Sequence, residues 1–425
     1  MSKPRPLLLA AAVSTLCVLA STVAGDVGKP LVTAITKDAA TFLYSAPIIR
    51  NGQPSHQLVL DLSGPIIWST CPTDHRTLEC NSVACMRAHR FHPPGCPHTG
   101  YGKPDDDNPY RCKCTAHPHN PVCGDTVSGD VTRTALSANA ADGRNPLRPV
   151  TFVAVTSCAP ESLLAKLPVG SVGVAGLARS GLSFPAQVAG TQKVAKTFAL
   201  CLPRAGTGVA IFGGGPLFLI PPERPAITDM LAGDTPLRTY RGSPGYFISA
   251  NKGIAVNQAQ VPLPDHSSLT IGLSSTIRYT ELRRDVYRPF IRAFDQAMGQ
   301  SARVTPPAAA APFHLCYDSS KLSSTRLGYF VPQVHLMLDG GKNWTVFGGN
   351  SMAQVDRHTA CFAFVEMKEG KTGYGDRAAP AVVIGGFQME DNLVVFDEEK
   401  QQLGFSGLLT GRGFSCSNFN FTMPA

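Results

Sequence analysis

Apolar residues along most of the chain come in short runs closed off by turn-forming residues, the pattern of a protein built from many strands. Leu58-Val59-Leu60, Val150 to Val155, Gly208 to Phe212 and Ala381 to Ile384 are rich in β-formers and bounded by Gly or Pro, and each predicts a strand. Two stretches change to the helical period. Pro185-Ala186-Gln187-Val188-Ala189 predicts the start of one helix. Arg284 to Met298 predicts a longer one, with Val286, Phe290, Ile291, Phe294 and Met298 along one side. Pro216 to Pro225 reads as a joint between two halves.

The order of runs also recurs. Leu58-Val59-Leu60 leads into Asp61-Leu62-Ser63-Gly64, and Gly173-Val174-Ala175-Gly176-Leu177 follows about 115 residues later. Leu269-Thr270-Ile271-Gly272-Leu273 leads into Ser274-Ser275-Thr276, and Val382-Val383-Ile384-Gly385-Gly386 follows about 111 residues later. Chance recurrence of apolar-Gly segments, common in β proteins, is the alternative. A real repeat predicts two lobes, 26–215 and 226–425, joined by 216–225 around a groove.

Composition narrows the class. The 425 residues are 43% hydrophobic and only 16% charged, with 40 Gly and 35 Pro, which suits an all-β protein with many turns rather than a helical bundle or a disordered chain. Residues 1–25 read as a secretory leader: Lys3 and Arg5, then an apolar stretch from Leu7 to Ala20, then small residues at Val23-Ala24-Gly25. That stretch is shorter than the roughly 20 residues that span a bilayer, and no later segment is long and apolar enough, so no membrane is expected. Losing the leader lowers the formal net charge from +8 to +6. A mildly basic exported protein is drawn to acidic proteins or polysaccharides. With no basic stripe interleaved with aromatics, nucleic acid is not expected, and a monomer is the expectation.

Cys17 lies in the leader. Twelve cysteines remain, Cys71, Cys80, Cys85, Cys96, Cys112, Cys114, Cys123, Cys158, Cys201, Cys316, Cys361 and Cys416, and their even number in an exported chain predicts six disulfides. Residues 71–123 hold seven of them with six histidines, so Cys112-Lys113-Cys114 raises a zinc site, but no Cys-X-X-Cys repeats and disulfides are favoured. Asn343-Trp-Thr and Asn420-Phe-Thr are glycosylation acceptors. Gly213-Gly214-Gly215 lacks the spacing and following helix of a nucleotide loop, and Asp105-Asp106-Asp107 reads as a solvated loop before a calcium site, so neither a metal nor a cofactor is expected.

LVLDLSGPIIWSTC (58–71) resembles the first active-site strand of pepsin-like aspartic proteases, where Asp-Thr-Gly-Ser is usual with Trp a few residues on. VGVAGLARSGLSFPAQVA (172–189) and VVIGGFQMEDNLVVFDEEKQQLGFS (382–406) resemble later pieces of the two lobes. GVAIFGGGP (208–216), RRDVYRPF (283–290), CFAFVEMK (361–368) and the twelve-cysteine layout are similar to one plant branch, the TAXI-type xylanase inhibitors of cereals, with endoglucanase inhibitors and basic seed globulins as further relatives. The resemblance implies an all-β, two-lobed pepsin-like fold with a central cleft, a few short helices and a Cys-rich insert at 71–123. It also implies Cys316 paired with Cys361, and Cys201 with Cys416.

The same resemblance implies that peptide hydrolysis is lost. An aspartic protease needs two carboxylates sharing one proton. Asp61 keeps the first position, but Leu62-Ser63-Gly64 replaces its usual neighbours. In the second motif Ser274 falls where the other Asp belongs and Thr276 where the Gly belongs. A serine hydroxyl cannot share that proton, and losing general acid–base help alone costs roughly 10²–10⁴ in rate. A flap tyrosine is also missing, since no Tyr occurs between Tyr110 and Tyr240. An unrecognised partner such as Asp285 is disfavoured because it falls in the expected helix.

What remains by resemblance is inhibition of a microbial glycoside hydrolase in the plant cell wall, as part of defence. A family 11 xylanase is the first target and an endoglucanase the next. Those xylanases cut with two carboxylates about 5 Å apart. The family lodges a loop histidine between them, from just after the last strand. Here that loop reads Gly407-Leu408-Leu409-Thr410-Gly411-Arg412-Gly413, the histidine's place falls near Thr410, and no histidine occurs after His358. Arg412 is the substitute, because a guanidinium bridges two carboxylates; an ordinary exposed loop arginine is the alternative. Leu409 flanks it, and the loop from Asp318 to Leu327 is expected to add contacts. A non-inhibitory wall or seed storage protein and a residual aspartic endopeptidase stay open as other readings.

Overall fold

The computed structural model describes residues 28–50, 56–91, 102–104, 112–140, 147–214, 227–263, 268–368 and 379–419. The leader, the joint at 216–225, Cys96, Asn420 and the run of three aspartates lie outside them.

The repeat read from the sequence is a repeat of strand order and of strand sense. In the first half the strands Tyr44–Arg50, His56–Asp61, Ser171–Gly176, Ile67–Ser69 and Arg148–Cys158 lie side by side in that order. In the second half Ser243–Ala250, Leu269–Leu273, Val382–Ile384, Thr280–Leu282 and Phe364–Glu366 do the same. The four pairings run antiparallel, parallel, antiparallel and parallel in the first set. They run in the same senses in the second. Each lobe thus threads a strand ending in the loop of interest parallel to a strand that arrives more than a hundred residues later. That arrangement demands close backbone approach. A Cβ added at Gly176 would sit 2.4 Å from the Gly64 carbonyl oxygen, so only glycine fits there.

The sheet of the first half continues into strands that join the halves. Gly233–Pro236, Gln402–Leu408, Asn392–Asp397, Thr197–Cys201, Thr207–Phe212 and Leu31–Lys37 are consecutive neighbours in one sheet. Phe198 and Phe396 face each other in register and stack with ring centroids 4.5 Å apart. Tyr246, buried against both rings, donates to the Leu177 carbonyl at 2.9 Å and to Glu398 at 2.6 Å.

Helices are few. One spans Phe184–Gln192, where the sequence predicted a start at Pro185. Arg284–Met298 has the predicted bounds; Val286, Tyr287, Phe290 and Phe294 are buried, and Ile291 and Met298 pack partly against the same core. Pro289 lies inside it, in the second turn, where it removes one helical hydrogen bond.

Five disulfides close among the described residues: Cys71–Cys158, Cys80–Cys112, Cys85–Cys114, Cys201–Cys416 and Cys316–Cys361. Cys316 and Cys361 are direct cross-strand neighbours, and Cys201–Cys416 fastens the end of the chain to the sheet that joins the halves. Cys123 is unpaired among the described residues, so a sixth bridge would need Cys96. Ligand atoms of Cys85, His89 and Cys114 lie within 4.8 Å of one another, but one disulfide takes both sulfurs, which removes the thiolates a zinc site needs. Among the described residues no helix is long and apolar enough to cross a membrane.

Candidate functional site

The two strands that carry the repeat deliver Asp61 and Ser274 to matching places. Asp61 ends its strand opposite Gly176, and Leu273, just before Ser274, pairs with Ile384, just before Gly385. The turns beyond them bond alike. The Asp61 carboxylate accepts from the Ser63 N–H at 2.9 Å and the Ser63 hydroxyl at 2.8 Å. Ser274 Oγ accepts from the Thr276 N–H at 3.2 Å and the Ile277 N–H at 3.3 Å, and lies 3.1 Å from the Thr276 hydroxyl. A serine oxygen thus performs, for its own turn, the capping that a carboxylate performs for the other.

One feature at this place escapes the motif comparison. Ser275 Oγ donates to the Leu60 carbonyl at 2.6 Å and accepts from the Leu62 N–H at 3.1 Å, so the second lobe's tip grips the backbone on both sides of Asp61. The reciprocal bond would need a hydroxyl at Leu62, which instead lies fully buried in the apolar core. The signal in the sequence is the second hydroxyl, at Ser275, next to Ser274.

Asp61 is 3% exposed, and burial pushes its carboxyl above the ordinary carboxylate range. Hydrogen bonds from Ser63 and the positive field of His119 act against this but do not overcome it. His119 is itself held below the usual imidazole range by burial, though Asp61 and Asp125 pull it upward. Asp285 does not supply a second acid: it sits in the first turn of the helix Arg284–Met298, where both its oxygens are taken by the Arg283 guanidinium at 2.7 and 2.8 Å. That pairing holds its carboxyl below the ordinary range. A lone buried acid cannot share a proton with a partner acid, which is what the two-aspartate mechanism requires.

The turn after the last strand is Leu409–Arg412, closed by Gly413 in the left-handed region at φ +80°. Leu409 must be reassigned. It is 1% exposed, packed with Leu393, Ile211 and Cys416, and its N–H donates to the Asp391 carbonyl at 2.8 Å. An apolar side chain so buried anchors the turn from inside and cannot touch a partner. Thr410 is half-buried and Arg412 exposed, the latter reaching the Asp229 carbonyl at 3.4 Å. Leu327 sits in the hairpin formed by Ser324–Thr325 and Gly328–Tyr329. A Cβ added at Gly411 would lie 2.8 Å from Leu327 Cδ2, so the two surface turns touch through that glycine. The hairpin is fixed from below by the Gly349 N–H, which donates to the Leu327 carbonyl at 2.6 Å. Asn343 is exposed at the start of its strand.

Beneath the turn lies an ion network that the sequence did not reveal. Glu390, 1% exposed, meets Lys37 Nζ at 2.5 Å and the Tyr44 hydroxyl at 2.9 Å. Arg204 Nε stands 3.8 Å from Glu390 and 3.6 Å from Asp391, and Asp391 also caps the Cys416 N–H at 3.0 Å. Burial pushes the Tyr44 hydroxyl well above its usual range, with Glu390 adding to the effect. Burial likewise raises Asp391. The signal was an acidic pair, Glu390-Asp391, placed just before an apolar strand.

Family models described as xylanase inhibitor N-terminal and xylanase inhibitor C-terminal match residues 47–214 and 245–407. The chain belongs to this xylanase-inhibitor family. It is 63% identical over 401 residues to Chitinase CLP of Oryza sativa subsp. japonica, covering 94% of this chain and 93% of that one. It is 31% identical to the probable aspartic proteinase GIP2 of Nicotiana benthamiana, with 93% of each covered. The crystal structure of edgp superposes with a TM-score of 0.80 at 30% identity, covering 93% of this chain and 98% of that one. Basic 7S globulin from soybean superposes with a TM-score of 0.73 at 27% identity, covering 92% and 99%. The fold is therefore the all-β, two-lobed pepsin-like one, and the family includes seed globulins and conglutins as well as proteins named for enzymes.

Proposed function

We propose that this chain is an exported protein inhibitor of a microbial glycoside hydrolase, without peptidase activity, in which Ser274 stands where the second catalytic aspartate of a protease would. The observation that carries the reading is the meeting of two outward turns, Leu409–Arg412 and the hairpin around Leu327, on a rigid base. Arg412 is the contact offered to the enzyme's paired carboxylates: it is exposed, flanked by Gly411 and Gly413, and lightly held. A guanidinium entering a cleft that excludes water makes charge-assisted bonds to both acids of a retaining glycosidase, whose carboxylates are about 5 Å apart. Thr410 and Leu327 flank it. A xylanase is the first target because the family models carry that name, and a family 11 enzyme is the first to assay.

The name of the rice relative favours a second reading, hydrolysis of chitin by the chain itself. Glycoside hydrolysis ordinarily uses two carboxyl groups on either side of the bond, and among the described residues the titratable side chain that acts on Asp61 through its field is His119, an imidazole rather than a second acid. The first reading is therefore preferred. One panel tests both: the pure protein with microbial xylanases, endoglucanases and chitinases, and the protein alone on xylan, chitin and denatured haemoglobin. Inhibition of a hydrolase that Arg412→Ala weakens by at least tenfold supports the proposal. Silence across the enzymes favours a storage or binding role, and turnover of chitin or protein by the chain alone rejects it.

A further inference from the structure

We propose that Arg278, held flat against Phe42 where the lobes meet, is a binding site for a small organic acid bearing a single carboxylate. Just beyond the turn at Ser274 the chain carries the Arg278 guanidinium over the ring of Phe42, its central carbon 3.2 Å from the ring centroid. The ring of Tyr279 stands 4.6 Å from the same carbon. At the shorter distance the guanidinium and the Phe42 ring must lie nearly parallel, because a tilted guanidinium would drive a nitrogen into the ring. Phe42 belongs to the first half of the chain and Tyr279 to the second.

The donors of this guanidinium are left over. Arg278 is exposed, and among the described residues no oxygen lies at hydrogen-bond or ion-pair distance from it. The acids around it are engaged elsewhere. Asp38 accepts from the Thr41 N–H at 2.7 Å and the Thr41 hydroxyl at 2.6 Å. Glu390 meets Lys37 and Tyr44, and Asp391 caps the Cys416 N–H. Burial holds Arg278 below the usual arginine range, and the fields of Tyr279 and Glu390 act the other way. The stack also rests on a strained residue. Phe42 has φ +60°, costly for a bulky side chain. Its N–H donates to the Asp38 carbonyl at 2.9 Å and the Asp38 N–H donates to the Leu43 carbonyl at 2.9 Å, which fixes the turn in that shape. An exposed arginine ordinarily gives up rotamer freedom when it binds a partner; here the ring has already removed much of it.

These features select the ligand. A planar fork with parallel N–H donors matches a carboxylate, whose two oxygens accept side by side. The cations beside it are committed: Lys37 to Glu390, and Arg204 to Asn350 at 3.1 Å with Glu390 and Asp391 close by. A dianion such as phosphate would therefore face one fork and the opposing field of Glu390, while a monoanion needs only the fork. The half-buried rings of Phe42 and Tyr279 offer the body of the acid an apolar wall. That body can be a sugar, as in a uronic acid, or an aromatic ring, and the experiment separates the two. The inference is independent of which hydrolase, if any, the outer turns engage.

The test is titration of the full chain, isotopically labelled at its arginines, with galacturonate and with benzoate into the millimolar range. The Nε–H signal of Arg278 is identified by its loss in Arg278→Lys and in Arg278→Gln. It should move saturably with at least one of the acids, while the signal of Arg357, which is exposed and elsewhere, should stay in place. Saturation by galacturonate alone makes the ligand a sugar acid, by benzoate alone an aromatic acid, and by both a carboxylate whatever its body. Arg278→Lys keeps the charge and should keep the urea midpoint, yet without the fork it should bind about tenfold more weakly by calorimetry. No saturable shift at Arg278, an equal shift at Arg357, phosphate binding as tightly as either acid, or undiminished binding by Arg278→Lys would each overturn the site.

Discussion

Asp61→Asn measures what a single buried acid does to this fold. Asp61 is 3% exposed, its two partners from Ser63 favour the charged form, and burial still wins, raising its carboxyl above the ordinary value of about 3.9. In the unfolded chain the same group titrates in the ordinary range. Between the two values the native state holds more protons than the unfolded one, so stability falls as pH rises through that window and stays lower above it. Each unit of separation corresponds to about 1.4 kcal/mol. Asparagine keeps the shape and the acceptor that Ser63 needs but carries no charge to desolvate. Urea unfolding of both proteins from about pH 3 to about pH 8 should show no gain for the variant at the acid end. Above the window its gain should level off at about 1.4 kcal/mol per unit. The difference should follow a one-proton curve. A two-proton curve would mean a second carboxyl beside Asp61, and a loss of stability at neutral pH would mean the ionised form is held by a cation. Either result refutes the reading of this site as one isolated acid.

Three other perturbations probe the frame. Lys37→Met strips the close partner from Glu390, which is 1% exposed, and should cost about 3–5 kcal/mol in chemical denaturation. Lys37→Met/Glu390→Gln should recover most of it, and a double-mutant cycle showing additive effects would deny the pair. Ser275→Ala leaves the Leu60 carbonyl and the Leu62 N–H without their shared partner and should cost about 1–3 kcal/mol, with faster hydrogen exchange at Leu62. Gly328→Ala should destabilise more than Gly242→Ala. Both sit at positive φ, +90° and +72°, but a Cβ at 328 would lie 2.1 Å from the Gly349 nitrogen and one at 242 would meet nothing within 4 Å. Strain alone is worth about 1 kcal/mol, so equal melting temperatures for the two variants would contradict the contact.

Much of the fold was legible because it is written in periodicity. The Arg284–Met298 helix kept its bounds since its apolar residues recur at helical spacing and nothing in the tertiary structure opposes them. The twofold repeat was visible as two apolar runs, each ending in a polar turn, because parallel pairing buries both faces of a strand and leaves little alternation. The site was legible only as far as residue type decides chemistry: one acid, one serine. Leu409 was misread because loop position says nothing of which way a side chain turns. Of its neighbours in space, Leu393 comes from the strand before the last and Ile211 from a strand in the first half of the chain. Nor could any local pattern show that Lys37, Tyr44 and Arg204 from the first half converge on Glu390 and Asp391 from the second.

The asymmetry at the lobe junction says what the frame still has to hold. A working pair of acids needs both tips clamped, each hydroxyl bonding the other lobe's backbone, so that the acids stay coplanar. Here only Ser275 makes that bond, while Leu62 has exchanged the hydroxyl for burial in the core. The two bonds of Ser275 and the sheet shared by the halves tie the lobes together, but they do not position two acids. Position is instead enforced on the outside. Leu409 is fixed by the core, the Asp391 carbonyl and the disulfide at Cys416, and Gly349 holds the hairpin on which Leu327 meets Gly411. The Glu390–Asp391 network links that outer turn to Lys37, Tyr44 and Arg204 of the first half, so stiffness there reaches the surface through Asp391. A protein that presents two turns at fixed separation would need this stiffness as much as a catalyst does.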